Sequence, residues 1–140
     1  MLTVDNDGER LGLTVSGVIG LSLDPPLVGV SVSRQAAMHE LLRAAGGFAL
    51  SLLAGDQEAL AQHFARGVPP FAHWHGIATR KGARGAPLID GALGWLECRT
   101  EAAHGAGDHT LFVGEVLAAQ SGRSAPPLVH LGQAYTSVSG

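Results

Sequence analysis

Three segments of this 140-residue chain share one pattern, in which bulky aliphatic or aromatic side chains alternate with mostly small ones. Leu11, Leu13 and Val15 alternate with Gly12, Thr14 and Ser16; Val28, Val30 and Val32 with Gly29, Ser31 and Ser33; Phe48, Leu50 and Leu52 with Ala49, Ser51 and Leu53. A period of two sets successive side chains on opposite faces of a strand. Each segment therefore reads as a strand with one face for a core and a second, smaller face. Small side chains leave backbone N–H and C=O groups within reach, which suits the close approach of a flat ligand. They suit a solvated face or tight sheet-to-sheet contact equally well, and the pattern alone does not choose.

The punctuation between the strands points to an antiparallel arrangement. Asn6, Asp7 and Gly8 stand between apolar stretches, which is hairpin-turn chemistry. The alternation extends over residues 10–23, stops at Asp24-Pro25-Pro26, where two prolines supply no donors, and resumes over 27–33. Residues 35–45 predict a helix with Ala37, Leu41, Leu42 and Ala45 on its apolar side, ended by Gly46 and Gly47. A second helix takes Asp56 as N-cap, sets Leu60 and Phe64 one turn apart, and stops before Gly67.

Residues 68–87 contain Pro69-Pro70, His73-Trp74-His75, Gly82 and Gly85 without a sustained period. They predict a long loop, either a lid over a site or a surface segment. Strands over 92–102 and 110–119 follow, joined by a turn over 104–108, and a last short strand lies within 128–138. Six or seven strands with two or three short helices predict a mainly β fold, an antiparallel Greek-key barrel rather than alternating βαβ units. No Gly-rich dinucleotide fingerprint stands between a strand and a helix, so a nicotinamide nucleotide would not be held by a Rossmann fold.

Composition narrows the function classes. The length suits a single domain over residues 1–140. Nine scattered Lys and Arg residues and a net charge of -3 leave no basic stripe, which argues against a nucleic-acid partner. No apolar run reaches the roughly 20 residues of a membrane span, and the first residues lack a signal pattern; together these predict a soluble cytoplasmic protein. Cys98 is the single cysteine, which excludes an internal disulfide and suits a reducing compartment. His63, His73, His75 and His104 form no His-Glu-x-x-His arrangement, so no metal site is expected.

Specific motifs carry more. Residues 12–16, Gly-Leu-Thr-Val-Ser, followed by Leu-Ser-Leu-Asp-Pro-Pro-Leu-Val over 21–28, closely resemble the signature of the flavin reductase-like family with the FMN-binding split-barrel fold. Residues 48–53, 56–61, 85–98 and the run Gly-Asp-His-Thr-Leu-Phe-Val-Gly-Glu-Val over 107–116 are similar to later elements of that family, in the same order.

The resemblance implies a site. It puts Thr14, Val15 and Ser16 along the isoalloxazine ring of FMN or FAD, with Ser22 as a neighbour. It puts the flavin phosphate near Ser31, Ser33, Arg34 and Gln35, where a hydroxyl, a cation and free helix N–H groups would meet it. Read singly, Ser33 is equally a helix cap and Arg34 a solvated charge. Ser51 stands where many relatives carry Asn, which keeps a hydroxyl and loses an amide. His109 is implied to sit by the nicotinamide of NADH or NADPH, and Tyr135 to line the site. Such proteins are typically homodimers; relatives also begin with a helix and part of a strand that this sequence lacks before Leu2.

The reaction so implied is hydride transfer from reduced nicotinamide to flavin, with reduced flavin passed to a partner monooxygenase. It needs the two rings held together and no catalytic acid. Two alternatives remain at this level: an FMN-binding electron carrier without nicotinamide turnover, and a cofactor-free interaction barrel.

Overall fold

The computed structural model describes residues 1–65 and 72–138. The chain runs β1 (Leu2–Asn6), β2 (Glu9–Leu13), β3 (Val18–Leu23), β4 (Pro26–Ser33), α1 (Ala37–Ala45), β5 (Gly47–Leu52), α2 (Glu58–Ala65), β6 (Thr79–Lys81), β7 (Pro87–Ile89), β8 (Gly94–Ala106), β9 (His109–Ser121), β10 (Leu128–Leu131) and β11 (Ala134–Ser137). Seven strands form one antiparallel sheet in the order β2-β1-β5-β8-β9-β4-β3, and β6-β7 and β10-β11 form separate hairpins.

That order forces the sheet to curl. Laid flat, seven strands would put the two edges about 29 Å apart. The edges are β2 and β3, which are consecutive in the chain, and the connection between them spans about 18 Å at most. The edges therefore turn towards each other, and residues 14–17 bridge the remaining split. The core confirms the curl, because Leu2 and Val4 of β1, Val30 and Val32 of β4, and Phe48, Leu50, Cys98 and Phe112 of the strands between them belong to one buried cluster. Met38, Leu41 and Leu42 of α1 join it from one side of that helix. Each fully buried side chain of this size contributes about 1.5–3 kcal/mol.

Turn chemistry sets the registers. Asp7 and Gly8 both take positive φ between β1 and β2, and the Asp5 carboxylate accepts the Gly8 N–H at 2.8 Å. Gly107, at φ +64°, leads the two-residue turn between β8 and β9, so these strands extend through most of the turn expected over 104–108.

Several expectations are corrected. The strand predicted over 10–23 is two strands, because the Thr14 N–H and hydroxyl are drawn away to α2. The helix expected from 35 begins at Ala37. Asp56 does not cap α2: Gln57 precedes that helix, and the Asp56 carboxylate pairs with Arg123. The loop expected over 68–87 contains β6 and pairs its end, β7, against it; Gly67 and the part over 68–71 lie outside the described residues. The last strand is a hairpin, β10-β11, turned at Gly132 and Gln133 with φ of 59° and 63°. Of the readings left open for the small face of β5, layer contact is the one seen, since Ala49 packs with Ala86, Leu88, Ala92 and Trp95. Here the alternation records contact between layers.

The segment around Trp74 is docked on the barrel exterior. His73 is 8 % exposed and its Nε2 lies 2.8 Å from the Gly12 nitrogen; Trp74 Nε1 donates to the Arg10 carbonyl at 3.0 Å. His63 Nε2 bonds the His73 carbonyl at 2.9 Å. Phe64 packs against both His73 and Trp74. Neither a lid nor a loose surface loop describes this segment.

Candidate functional site

The split in the barrel opens into a cleft of about 710 Å³, within the range of about 300–1,000 Å³ usual for small-molecule sites. One wall is Thr14, Val15, Ser16 and Val18; a second is the end of β5 with Leu52 and Leu53; a third is Ala61 and Ala65 of α2; the fourth is Pro127, Leu128, Val129, His130 and Tyr135. Among the described residues, no Asp, Glu, Lys or Arg lines it. An uncharged, mostly apolar cleft takes a flat neutral ring system and offers nothing to neutralise a phosphate.

Local bonding explains the first wall. Thr14 Oγ1 donates to the Ala61 carbonyl at 2.6 Å, and the Thr14 N–H reaches the Phe64 carbonyl at 3.5 Å. Ser16 accepts the Val18 N–H through its carbonyl, and the Gly17 carbonyl accepts the Ser31 N–H at 2.9 Å. Among the described residues, the N–H groups of Val15, Ser16 and Gly17 have no hydrogen-bond acceptor. Val15 is half-buried and Ser16 and Gly17 are exposed, so these donors are open to solvent or to a ligand. They are the groups the polar edge of an isoalloxazine ring would need, so the residues present fit a flavin.

The other predicted residues fall into two groups. Ser51 lines the cleft but is fully buried, and its Oγ accepts the Ile89 N–H at 3.1 Å, which ties β5 to β7. Tyr135 lines the cleft beside His130, with ring centroids 5.0 Å apart. Ser22, Ser31, Ser33 and His109 do not line it. They lie on the outer face of β3, β4 and β9, where Ser33 pairs with His109, Ser31 with Leu111, and Ser22 with Leu27. Directly paired residues share a face, and Val30 and Val32 occupy the opposite, core face.

Ser33 Oγ accepts the Gln35 N–H at 3.3 Å, and Gln35 itself is exposed. The Arg34 N–H donates to the Asp108 carbonyl at 2.9 Å, and its guanidinium lies against Gly105. His109 Nδ1 lies 2.8 Å from Asp108 Oδ1, and this bond holds the Asp108 carboxyl below the usual carboxylate range. The two groups meet at one point, the Ser31–Gly17 hydrogen bond, where a Cβ on residue 17 would stand 3.2 Å from that of Ser31.

Of the fourth wall, sequence reasoning named only Tyr135 and missed Pro127, Leu128, Val129 and His130, because Gly132 inside residues 128–138 was not read as a turn. It missed Ala61 and Ala65 as well: small residues on a short helix carry no distinctive signal.

A curled antiparallel sheet with an uncharged cleft at its split defines a small-molecule-binding split barrel. Residues 1–139 match the family model described as flavin reductase like domain, and the chain belongs to that family. It is 40 % identical over 127 residues to the reductase component of 4-hydroxyphenylacetate 3-monooxygenase from Thermus thermophilus, covering 91 % of this chain and 78 % of the relative. It is 39 % identical over 135 residues to the FMN reductase (NADH) SmoA of Agrobacterium fabrum, covering 96 % and 75 %. The solved structure of an NADH:FAD oxidoreductase from Streptomyces globisporus, in complex with NAD and FAD fragments, superposes with a TM-score of 0.92 at 34 % identity, covering 99 % of this chain and 82 % of that one.

Proposed function

We propose that this chain is an NADH-dependent flavin reductase that reduces FMN or FAD and hands the reduced flavin to a partner monooxygenase. The observation that carries the reading is the row of unpaired N–H groups at Val15, Ser16 and Gly17 beside an uncharged cleft. The relatives support it: the Agrobacterium protein is an FMN reductase (NADH), and the Thermus protein is the reductase component of a monooxygenase. When bound, flavin supplies the redox chemistry by accepting at N5 the hydride that leaves C4 of the nicotinamide.

The protein's share is binding and orientation. Val15, Ser16 and Gly17 donate to the ring edge, and Val15, Leu53 and Tyr135 exclude water from its faces. Ser31, Ser33, Arg34, Gln35 and the N–H groups at the start of α1 receive the phosphate outside the cleft, reached past Gly17. His109, held by Asp108, orients the nicotinamide. Ser22 and Ser51 support the strands on either side. The same reading makes the protein a homodimer: the outer edge strand β3 exposes Ile19 at 51 % and Leu23 at 96 %, an apolar edge that a second copy would cover. Dependence on reduced nicotinamide puts it in the cytoplasm.

The test mixes purified protein with NADH and FMN, FAD or riboflavin, and follows nicotinamide oxidation by absorbance. Oxidation that requires flavin supports the reductase. Flavin-induced thermal stabilisation without oxidation leaves an electron carrier, and no stabilisation by any flavin overturns flavin binding altogether. Light scattering of the same sample measures the dimer.

A further inference from the structure

We propose that Arg123, which does not line the cleft, is a positioning residue that sets flavin affinity by locking two of the cleft walls, the hairpin and α2, to the segment that carries Leu93. The inference rests on the reading that the cleft takes the isoalloxazine ring. Arg123 lies in the segment that leaves β9 for the β10-β11 hairpin. Its Nη1 donates to Asp56 Oδ2 at 2.9 Å, its Nη2 donates to Asp56 Oδ1, and its Nε donates to the Gly91 carbonyl at 2.6 Å. Asp56 stands two residues before α2, and Gly91 two residues before Leu93, which lines the cleft. One guanidinium therefore joins the segments that lead into the hairpin wall and the α2 wall to the segment that carries Leu93, a further lining residue.

The surroundings make this more than a surface ion pair. Gln57, next to Asp56, accepts the Ala54 N–H at 3.0 Å and donates to the Asp90 carbonyl at 2.9 Å, so the segment before α2 and the segment leading to Leu93 are tied a second time. The Gly55 N–H donates to the Pro126 carbonyl at 2.8 Å, and the Leu128 N–H to the Leu53 carbonyl at 3.0 Å. These bonds hang the hairpin on the body at a single line. Arg123 supplies the sideways restraint that a single line lacks.

Both side chains are partly open to water, Arg123 at 40 % and Asp56 at 66 %, so the restraint is screened by salt. Gly91, at φ +80°, presents its carbonyl to Arg123 from a backbone conformation that suits glycine.

The experiment measures riboflavin affinity by fluorescence quenching, because riboflavin has no phosphate and its binding carries no phosphate charge effect. Arg123→Gln and Asp56→Asn each weaken riboflavin binding about two- to fivefold, leave kcat unchanged, and together cost no more than either alone. Arg123→Lys recovers part of the affinity. Added salt weakens riboflavin binding to the wild type and leaves Arg123→Gln unaffected. Wild-type affinity in Arg123→Gln, a loss in kcat instead of affinity, or additive single effects would each overturn the inference. Failure of the wild type to bind riboflavin, FMN or FAD would overturn the flavin reading beneath it as well.

Discussion

The Thr14 hydroxyl donates to the Ala61 carbonyl at 2.6 Å, and this bond turns a strand pattern into a site. Without it, residues 10–23 have the alternation to continue as one strand. With it, the chain leaves the sheet at residue 14, pairs again at Val18, and leaves the N–H groups between them without partners. Thr14→Val keeps the shape and removes the donor. The expected result is a stability loss of about 1–2 kcal/mol in urea unfolding and a raised KM for FMN, with Thr14→Ser close to wild type. An unchanged KM would separate Thr14 from the flavin.

His109 is predicted to act on the nicotinamide alone. His109→Ala lowers kcat/KM for NADH about tenfold, the scale of one hydrogen bond to a charged or strongly polar group, and leaves riboflavin affinity as it was. Stopped-flow reduction of bound flavin measures the first quantity directly. Equal loss of riboflavin binding would move His109 into the flavin site.

Gly114 faces the core, not a ligand. A Cβ there would stand 2.5 Å from Phe48 Cζ and 2.9 Å from the Cβ of Cys98. Gly114→Ala overpacks this point and lowers the unfolding free energy by about 1–3 kcal/mol, read as a lower urea midpoint. An unchanged midpoint would show that Phe48 moves aside at no cost.

His73 makes the fold sensitive to acid. Burial pushes its pKa below the ordinary histidine value; its Gly12 contact acts the other way, and the charge of His63 adds to the lowering. The folded chain therefore binds this proton less readily than the unfolded chain does. The contribution to stability is complete above about pH 6.5 and is lost as pH falls from there through the folded pKa. In His73→Gln the amide oxygen can still accept the Gly12 N–H and nothing titrates. Thermal unfolding across this range should then fall less steeply with acid than in the wild type, and an identical slope would remove His73 from the acid response.

Much of this arrangement is legible in the sequence, and the failures have physical causes. The two-residue period correctly marks β2, β4 and β5, because a strand needs only local alternation to declare itself. It does not distinguish a small face open to a ligand from one that is covered: Ala49 and Gly12 are as small as Ser31, yet Ala49 lies under the β6-β7 layer and Gly12 lies under Phe64 and Met1. The split at residues 14–17 is invisible in periodicity, since the bond that makes it comes from a carbonyl 47 residues away. The motif resemblance named Thr14, Val15, Ser16 and Tyr135, which the fold brings to one cleft, together with Ser31, Ser33, Arg34 and His109, which it sets on another face. Arg123 had no motif to mark it.

The central claim is that the ring lies in the cleft and the phosphate outside it. A crystal structure of the protein with FMN tests this most directly. The account predicts the isoalloxazine between residues 14–18 and the β10-β11 hairpin, with its polar edge on the N–H groups of Val15, Ser16 and Gly17. A ring lying on the outer face of β4 and β9, against Ser31 and Ser33 with the cleft empty, would contradict it.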